Sequence, residues 1–198
     1  SIDRITIESS VNPNSGVFPL QVGDIGPGGG RIFYVASTPF DCGPTLTATC
    51  TYLEAASTTA TTNPWTDATY IWSGNTTEEI GANAQGTAIG TGYKNTLAIV
   101  GQASGGDAAT KAGTISRAYR GPNNLMDWYQ PSKDELNQMC KWQRGITGEA
   151  LTNLTTVCTG GTLNSGVGAQ GFGSRYWSSS ESNSNAHFAW TQWFGDPN

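Results

Sequence analysis

The sequence predicts an α+β domain with two helices, several short antiparallel strands and long glycine-rich loops. Three observations lead to this fold class. The 198 residues include 26 glycines, which disfavours a helical bundle because glycine is a poor helix former. Only 13% of the residues are charged, roughly half of the fraction in an average soluble domain. The 7 tryptophans supply the buried aromatic anchors that disordered chains lack and that irregular backbone needs.

The first strand signals lie near the N-terminus. Residues 4–8 read RITIE and alternate apolar and polar side chains, and a cluster of Pro, Gly, Ser and Asn follows them, which is typical of a loop. We therefore assign residues 1–20 to a linker or the end of a preceding domain, and residues 21–198 to the domain itself. The glycine-dense turn at 23–30 leads into RIFYVAS, a strong strand pattern, and TYLEAA at 51–56 predicts a second strand.

Helical patterns occupy two later stretches. Between residues 82 and 102, apolar side chains recur at helical spacing with glycines between them. In PSKDELNQMCKWQ, Ser132 and Glu135 form an S-x-x-E capping box, which predicts a helix from Lys133 to Gln143 that ends at Gly145. A shorter helix over 108–119 is a further candidate. The chain then ends in two aromatic strand patterns, RYWSSSE at 175–181 and HFAWTQWF at 187–194.

Charge and hydropathy exclude two classes of partner. The formal net charge is −5, so the chain lacks the basic surface of a nucleic-acid-binding protein. No apolar run approaches the roughly 18 residues that a membrane helix needs. We predict neither nucleic-acid binding nor membrane insertion.

The four cysteines indicate the compartment. Cys42 and Cys50 bracket one short loop, and Cys140 and Cys158 bracket another. Neither pair has the spacing of a zinc site. An even number of cysteines in a chain of low charge predicts two local disulfides and an extracellular or cell-surface location. The alternative is four buried free thiols in a cytosolic protein.

The residues offer little support for catalysis. His187 is the single histidine, and a Ser-His-Asp triad would also need a nucleophile in a strained turn, whereas no GxSxG motif is present. Glu78 and Glu79, with Asp67 and Asn75, are candidates for a calcium site because calcium prefers several oxygen ligands from flexible loops. We predict no enzyme activity and no cofactor, with calcium as the one candidate ion.

Four motifs in fixed order carry a family resemblance: GDIGPGGGRIFYV, AIGTGYKNT, DWYQPSKDELNQM and YWSSSE followed by AW and F. Over about residues 22–196 the chain resembles the domain family named for the C-terminal domain of the Legionella collagen-like adhesin. The resemblance implies a C-type-lectin-like fold. Gln130 stands where this family usually carries leucine. The family continues into a last strand rich in Val, Arg and Phe, so we expect the terminal strand of this domain to be missing.

The resemblance implies a fold that serves as a display scaffold and is not tied to a single activity. The named member resembles a glycosaminoglycan-binding adhesin. Other similar lectin-like proteins are variable targets of diversity-generating retroelements, in which adenine mutagenesis leaves Asn, Ser, Tyr, His and Asp between fixed aromatics; SNSNAHFAWTQWFGDPN at 182–198 is similar. Formylglycine-generating enzymes share a lectin-like fold but need cysteines poised for reaction. The EPN and QPD triplets of calcium-dependent sugar-binding lectins are missing.

We therefore predict a non-catalytic binding or adhesion domain that recognises a protein or glycan on another cell or surface. Rigid aromatic side chains among short polar ones are typical of a binding surface. We expect Trp128, Trp177, Trp190 and Phe194 to be core residues. The predicted ligand-binding residues are Ser182, Asn183, Asn185, His187, Thr191, Trp193, Asp196 and Asn198. The alternative is a structural surface or appendage module whose aromatic strands pack against neighbouring subunits, and both hypotheses allow a homo-oligomer.

Overall fold

The computed structural model describes residues 3–7, 19–75, 77–102, 111–147, 153–154, 156–185 and 188–195. These ranges form a mixed α+β structure, as predicted, with three helices where the sequence predicted two and a further candidate. The elements in chain order are β1 (Asp3–Ile7), β2 (Arg31–Cys42), β3 (Ala48–Ala55), α1 (Gly92–Gly101), α2 (Ala112–Ala118), β4 (Trp128–Tyr129), α3 (Lys133–Gln143), β5 (Arg175–Glu181) and β6 (Ala189–Trp193). None of the helices in these ranges is long and apolar enough to cross a bilayer.

The larger sheet has four antiparallel strands in the order β2-β3-β1-β4. In β1, Asp3 lies opposite both Ala55 and Tyr129, so this strand sits inside the sheet. The sequence had placed residues 1–20 in a linker or a preceding domain. The alternation in RITIE was the correct strand signal, and the turn-rich stretch after it does not separate β1 from the rest of the sheet.

Helix α3 has the predicted bounds. The Ser132 side chain accepts a hydrogen bond from the Glu135 backbone N–H, and Glu135 Oε2 accepts one from the Ser132 N–H at 2.7 Å, which completes the capping box. Helix α1 begins at Gly92, ten residues later than the pattern from residue 82 predicted. Close packing requires this glycine, because a Cβ atom would lie 2.2 Å from Glu135 Oε2.

The core lies between the four-stranded sheet, α3 and the chain that follows α3. Phe33 of β2 and Trp142 of α3 are both buried, with ring centroids 6.2 Å apart. Both predicted disulfides are present. Cys42–Cys50 joins β2 to β3, and Cys140–Cys158 joins α3 to the loop after it. The cysteines are therefore paired as expected for a protein from an oxidising, extracellular compartment.

Strands β5 and β6 form a separate antiparallel pair, which we call the C-terminal ribbon. Arg175 lies opposite Trp193, Tyr176 opposite Gln192, and Trp177 opposite Thr191. The register shifts between Trp177 and Glu181. The ribbon packs against α3, and its β5 strand also contacts α1.

Candidate functional site

Short hydroxyl side chains fix β5 to the body of the protein. Ser179 N–H donates to the carbonyl of Pro131 at 2.6 Å, and Ser180 Oγ accepts from the Lys133 N–H at 2.9 Å. Ser180 Oγ also donates to the carbonyl of Gly86 at 2.6 Å. Both serines are buried. The run of serines in RYWSSSE therefore lets the strand lie close to the start of α3 and hydrogen-bond to it.

The end of β6 is fixed by a buried arginine. Arg144 Nη1 donates to the carbonyls of Phe194 and Gly195 at 2.9 and 3.0 Å, and its Nε donates to Gly160 at 2.6 Å. Phe194 is fully buried beside Tyr176, with ring centroids 4.8 Å apart. Both strands of the ribbon are thus anchored, and the ribbon is a rigid support for the side chains that it exposes.

The ribbon exposes four side chains on one face. Residues that lie opposite one another, or two apart, share a face of an antiparallel pair. The register therefore groups Arg175 and Trp177 of β5 with Thr191 and Trp193 of β6, and all four are exposed. Trp177 is 38% exposed and Trp193 is 43% exposed. We call these four residues the outer face of the ribbon.

Two of the four predicted core aromatics are buried and two are not. Trp128 and Phe194 are buried, as predicted. The prediction for Trp177 was wrong because its neighbour Tyr176 occupies the inner position of the strand. The prediction for Trp190 was also wrong, since this residue is 43% exposed. It lies between Ala189 and Thr191, where the register shifts, and beside the start of α3, where Lys133 Nζ is 4.3 Å from the centre of its ring.

The structure places the predicted ligand-binding residues that it describes in two groups, one on the outer face and one in the turn of the ribbon. Thr191 and Trp193 lie together on the outer face. Asn183 and Asn185 are exposed in the turn between β5 and β6, at the opposite end of the ribbon from Trp193, and Ser182 begins this turn half-buried. The remaining predicted residues, His187, Asp196 and Asn198, lie outside the described residues.

Sequence reasoning missed Arg175 and Trp177 as members of the exposed surface. The alternation within RYWSSSE carries the relevant signal, because Tyr176 and Ser178 occupy the inner positions and leave Arg175 and Trp177 outside. Assigning both residues of the YW motif to the core overlooks that Tyr176 is buried and Trp177 is exposed.

A first cleft of about 300 Å³ borders the β5 side of the ribbon. Its walls include Trp65, Asp67, Tyr70, Arg175 and Trp177, and Gln130 also lines it. The indole of Trp177 donates to the carbonyl of Tyr70 at 3.1 Å, which fixes the plane of the ring. This cleft combines flat aromatic surfaces with charged and amide groups.

Asp67 is held in the first cleft by two donors. Trp65 Nε1 donates to its Oδ1 at 2.6 Å, and the Tyr176 hydroxyl donates to its Oδ2 at 2.6 Å. Burial raises the pKa of Tyr176, and the hydrogen bond and the charge of Asp67 raise it further. Tyr176 therefore stays a protonated donor at neutral pH.

A second cleft of about 350 Å³ lies on the β6 side, between the ribbon and α3. Lys133, Asp134 and Asn137 of α3 face Trp190 and Thr191 across it. Burial raises the pKa of Asp134, and Lys133 and Lys141 act in the opposite direction. The outer face thus lies between two clefts of mixed aromatic and polar character.

Two of the four residues considered for calcium, Asp67 and Asn75, have other partners. Both oxygens of Asp67 accept the hydrogen bonds described above, and Asn75 Oδ1 accepts bonds from the backbone and hydroxyl of Thr77. Within the described ranges, no three His, Cys, Asp or Glu side chains are close enough together to hold a metal ion. The structure therefore does not assemble Asp67, Glu78 and Glu79 into a site.

Comparison with known proteins gives no relative. No protein-family model matches the chain, and no curated protein or solved structure matches it. The functional argument therefore depends on the ribbon and its two clefts.

Proposed function

We propose that this protein is a non-catalytic binding module with a C-type-lectin-like fold, displayed outside the cell, which contacts a partner through the outer face of its C-terminal ribbon. One observation carries the proposal. Trp177 and Trp193 are exposed on the same face of a strand pair whose inner face is buried. Folding alone gives no reason to expose two tryptophans on one face of a strand pair, whereas aromatic anchors dominate the binding energy of many interfaces.

The rigidity of the ribbon supports this proposal. Binding loses free energy when side chains and loops become ordered at an interface. The serines of β5 and Arg144 fix the backbone before any partner arrives. The tryptophans add large contact area at low entropic cost.

The turn between the strands supports a variable surface. Asn183 and Asn185 are exposed there, and asparagine offers both donors and acceptors to a partner. Together with the resemblance of residues 182–198 to the variable segments of retroelement targets, this supports a scaffold that presents a changeable surface. The two disulfides support a location outside the cell.

A structural surface module is the second candidate. Phe188 is 61% exposed at the turn end of the ribbon, where its carbonyl accepts a hydrogen bond from the Ser182 N–H. Exposed apolar groups of this kind also favour packing against a neighbouring subunit.

Sequencing the same gene from many cells of the source population distinguishes these two functions. A recognition surface predicts substitutions concentrated within residues 182–198, with buried Phe194 and buried Ser178–Glu181 unchanged. Substitutions spread evenly over exposed positions of the whole chain would contradict recognition and favour the structural module. Sedimentation of the purified protein provides the complementary test, because the structural module predicts self-association that Trp193→Ala weakens.

A further inference from the structure

The first cleft contains a buried acceptor that has no donor. Gln130 is 1% exposed, and its Nε2 donates to the carbonyls of Trp177 and Ser178 at 3.2 and 3.0 Å. These two bonds use both amide hydrogens and fix the orientation of the side chain. Its Oε1 has no hydrogen-bond partner in the described part of the chain. A buried carbonyl oxygen without a donor keeps its partial negative charge uncompensated, and this charge lies in a wall of the cleft.

Asp67 supplies a second acceptor to the same cleft, and this one is charged. Its partners, the indole of Trp65 and the hydroxyl of Tyr176, are neutral donors. They hold the carboxylate in place without compensating its charge, and each oxygen keeps a further lone pair. The cleft therefore offers a fixed negative group, and Gln130 with its unused carbonyl oxygen lines the same cleft.

The aromatic walls favour a flat cation. Trp177 is fixed by its bond to Tyr70 and still exposes 38% of its surface, and Trp65 lies 6.4 Å from Tyr70 between ring centroids. A guanidinium group stacks on aromatic faces and donates in a planar fork to carboxylates and carbonyls. An ammonium group would satisfy the charge but not the planar arrangement.

We propose that the first cleft binds the side chain of an arginine presented by a protein partner. Its guanidinium lies against Trp177 and donates to Asp67. A volume of about 300 Å³ is at the small end for ligand pockets, which suits one long side chain. The formal net charge of −5 attracts basic partners. Arg175, which also lines the cleft, favours an acidic neighbour of that arginine.

This inference rests on the proposed function, because the cleft borders the outer face and shares Arg175 and Trp177 with it. The probe is the tripeptide acetyl-Gly-Arg-Gly-amide. Its neutral control carries citrulline, which has nearly the shape of arginine and no charge. Titration is followed by the indole N–H signals of the 7 tryptophans in a two-dimensional nitrogen-proton NMR spectrum.

The expected result is a saturable shift of the Trp177 and Trp65 signals with the arginine peptide. The citrulline peptide, and a second control in which lysine replaces arginine and so keeps the charge without the planar group, should bind at least about fivefold more weakly. Asp67→Asn keeps an oxygen acceptor and removes the charge, so it should weaken arginine binding by a similar factor. Met126→Ala changes an exposed side chain that lines neither cleft and should leave the affinity unchanged. The melting temperature of each variant checks its folding.

Equal binding of the arginine and citrulline peptides, or no shift of the Trp177 signal, would overturn the inference, and neither result depends on a variant. A methyl glycoside that shifts the same signals more strongly than the arginine peptide would also overturn it, in favour of a saccharide. These outcomes are separate from the test of the proposed function. If the arginine peptide binds but natural substitutions are spread evenly over the chain, the inference about the cleft stands and the proposed recognition by the ribbon fails.

Discussion

Adjacent aromatic residues have opposite roles in the ribbon. Tyr176 packs on Phe194 in the core, and Trp177, the next residue, is exposed. The same is true of Phe194, which is buried next to exposed Trp193. Composition predicts that some of these aromatics are anchors. The strand register, which depends on distant contacts, decides which of them are.

We expect Trp128→Ala to destabilise the protein far more than Trp177→Ala. Trp128 is fully buried and packs on Tyr119, with ring centroids 5.1 Å apart, so its truncation should cost about 3–5 kcal/mol. Trp177→Ala removes one hydrogen bond and the packing of the buried part of the indole, which should cost roughly 1–2 kcal/mol. Urea unfolding of both variants measures the difference. Equal losses would place Trp177 in the core and remove it from the outer face.

At the scale of elements, three buried glutamates hold the glycine-rich loops in place. Each accepts two hydrogen bonds from backbone N–H groups: Glu54 from Gly28 and Gly30, Glu135 from Gly90 and Ser132, and Glu181 from Ile80 and Gly81. Each is at most 1% exposed. These bonds satisfy backbone donors of the loops, so the loops are ordered without regular secondary structure.

Sequence reasoning predicted only one of these bonds. The capping box of Ser132 and Glu135 is local, so the S-x-x-E spacing gives it directly. The bond from Gly81 to Glu181 spans 100 residues, and no local pattern indicates it. The same reason explains why helix α3 was predicted with its correct bounds while β1 was not placed in the sheet.

The Glu135 carboxyl should make stability depend on pH. Burial raises its pKa from 4.5 to about 7, against the lowering effect of its hydrogen bonds. Between these values the folded protein binds more protons than the unfolded chain, so its free energy of unfolding should fall as pH rises from about 4.5 to 7. Glu135→Gln should lose this slope, because a carboxamide does not titrate in this range.

Urea unfolding at a series of pH values measures both proteins. The wild-type curve minus the Glu135→Gln curve isolates this carboxyl from the other acidic groups. A difference that does not change across this pH range would show that Glu135 titrates alike in the folded and unfolded states.

At the scale of the whole molecule, the segment after α3 is held by a disulfide and by two buried cations. Lys141 Nζ donates to the carbonyl of Asn153 at 2.7 Å and to Thr156 Oγ1 at 2.8 Å. Arg144 holds the loop at Gly160 and the end of β6 together. The sequence predicted the Cys140–Cys158 bond from its short spacing, but the roles of Lys141 and Arg144 follow only from the folded chain.

Removing the Cys140–Cys158 bond should weaken the whole domain. It closes a loop of 18 residues, so the double variant Cys140→Ala/Cys158→Ala should lose roughly 3 kcal/mol. Removing Cys42–Cys50, which spans 8 residues, should cost slightly less, about 2.5 kcal/mol. Thermal unfolding of the two double variants gives the comparison. Unchanged melting temperatures, or free thiols in the purified wild-type protein, would contradict the predicted role of the disulfides.

The central claim is that the ribbon's inner face serves folding and its outer face serves contact with a partner. The most direct test displays every single substitution at residues 175–181 and 189–194 on yeast and measures display level as a readout of folding. We predict that display survives polar substitution at Arg175, Trp177, Thr191 and Trp193 and is lost at Tyr176, the buried serines and Phe194. If the outer-face positions are as intolerant as the inner ones, the ribbon is part of the core and the claim is wrong.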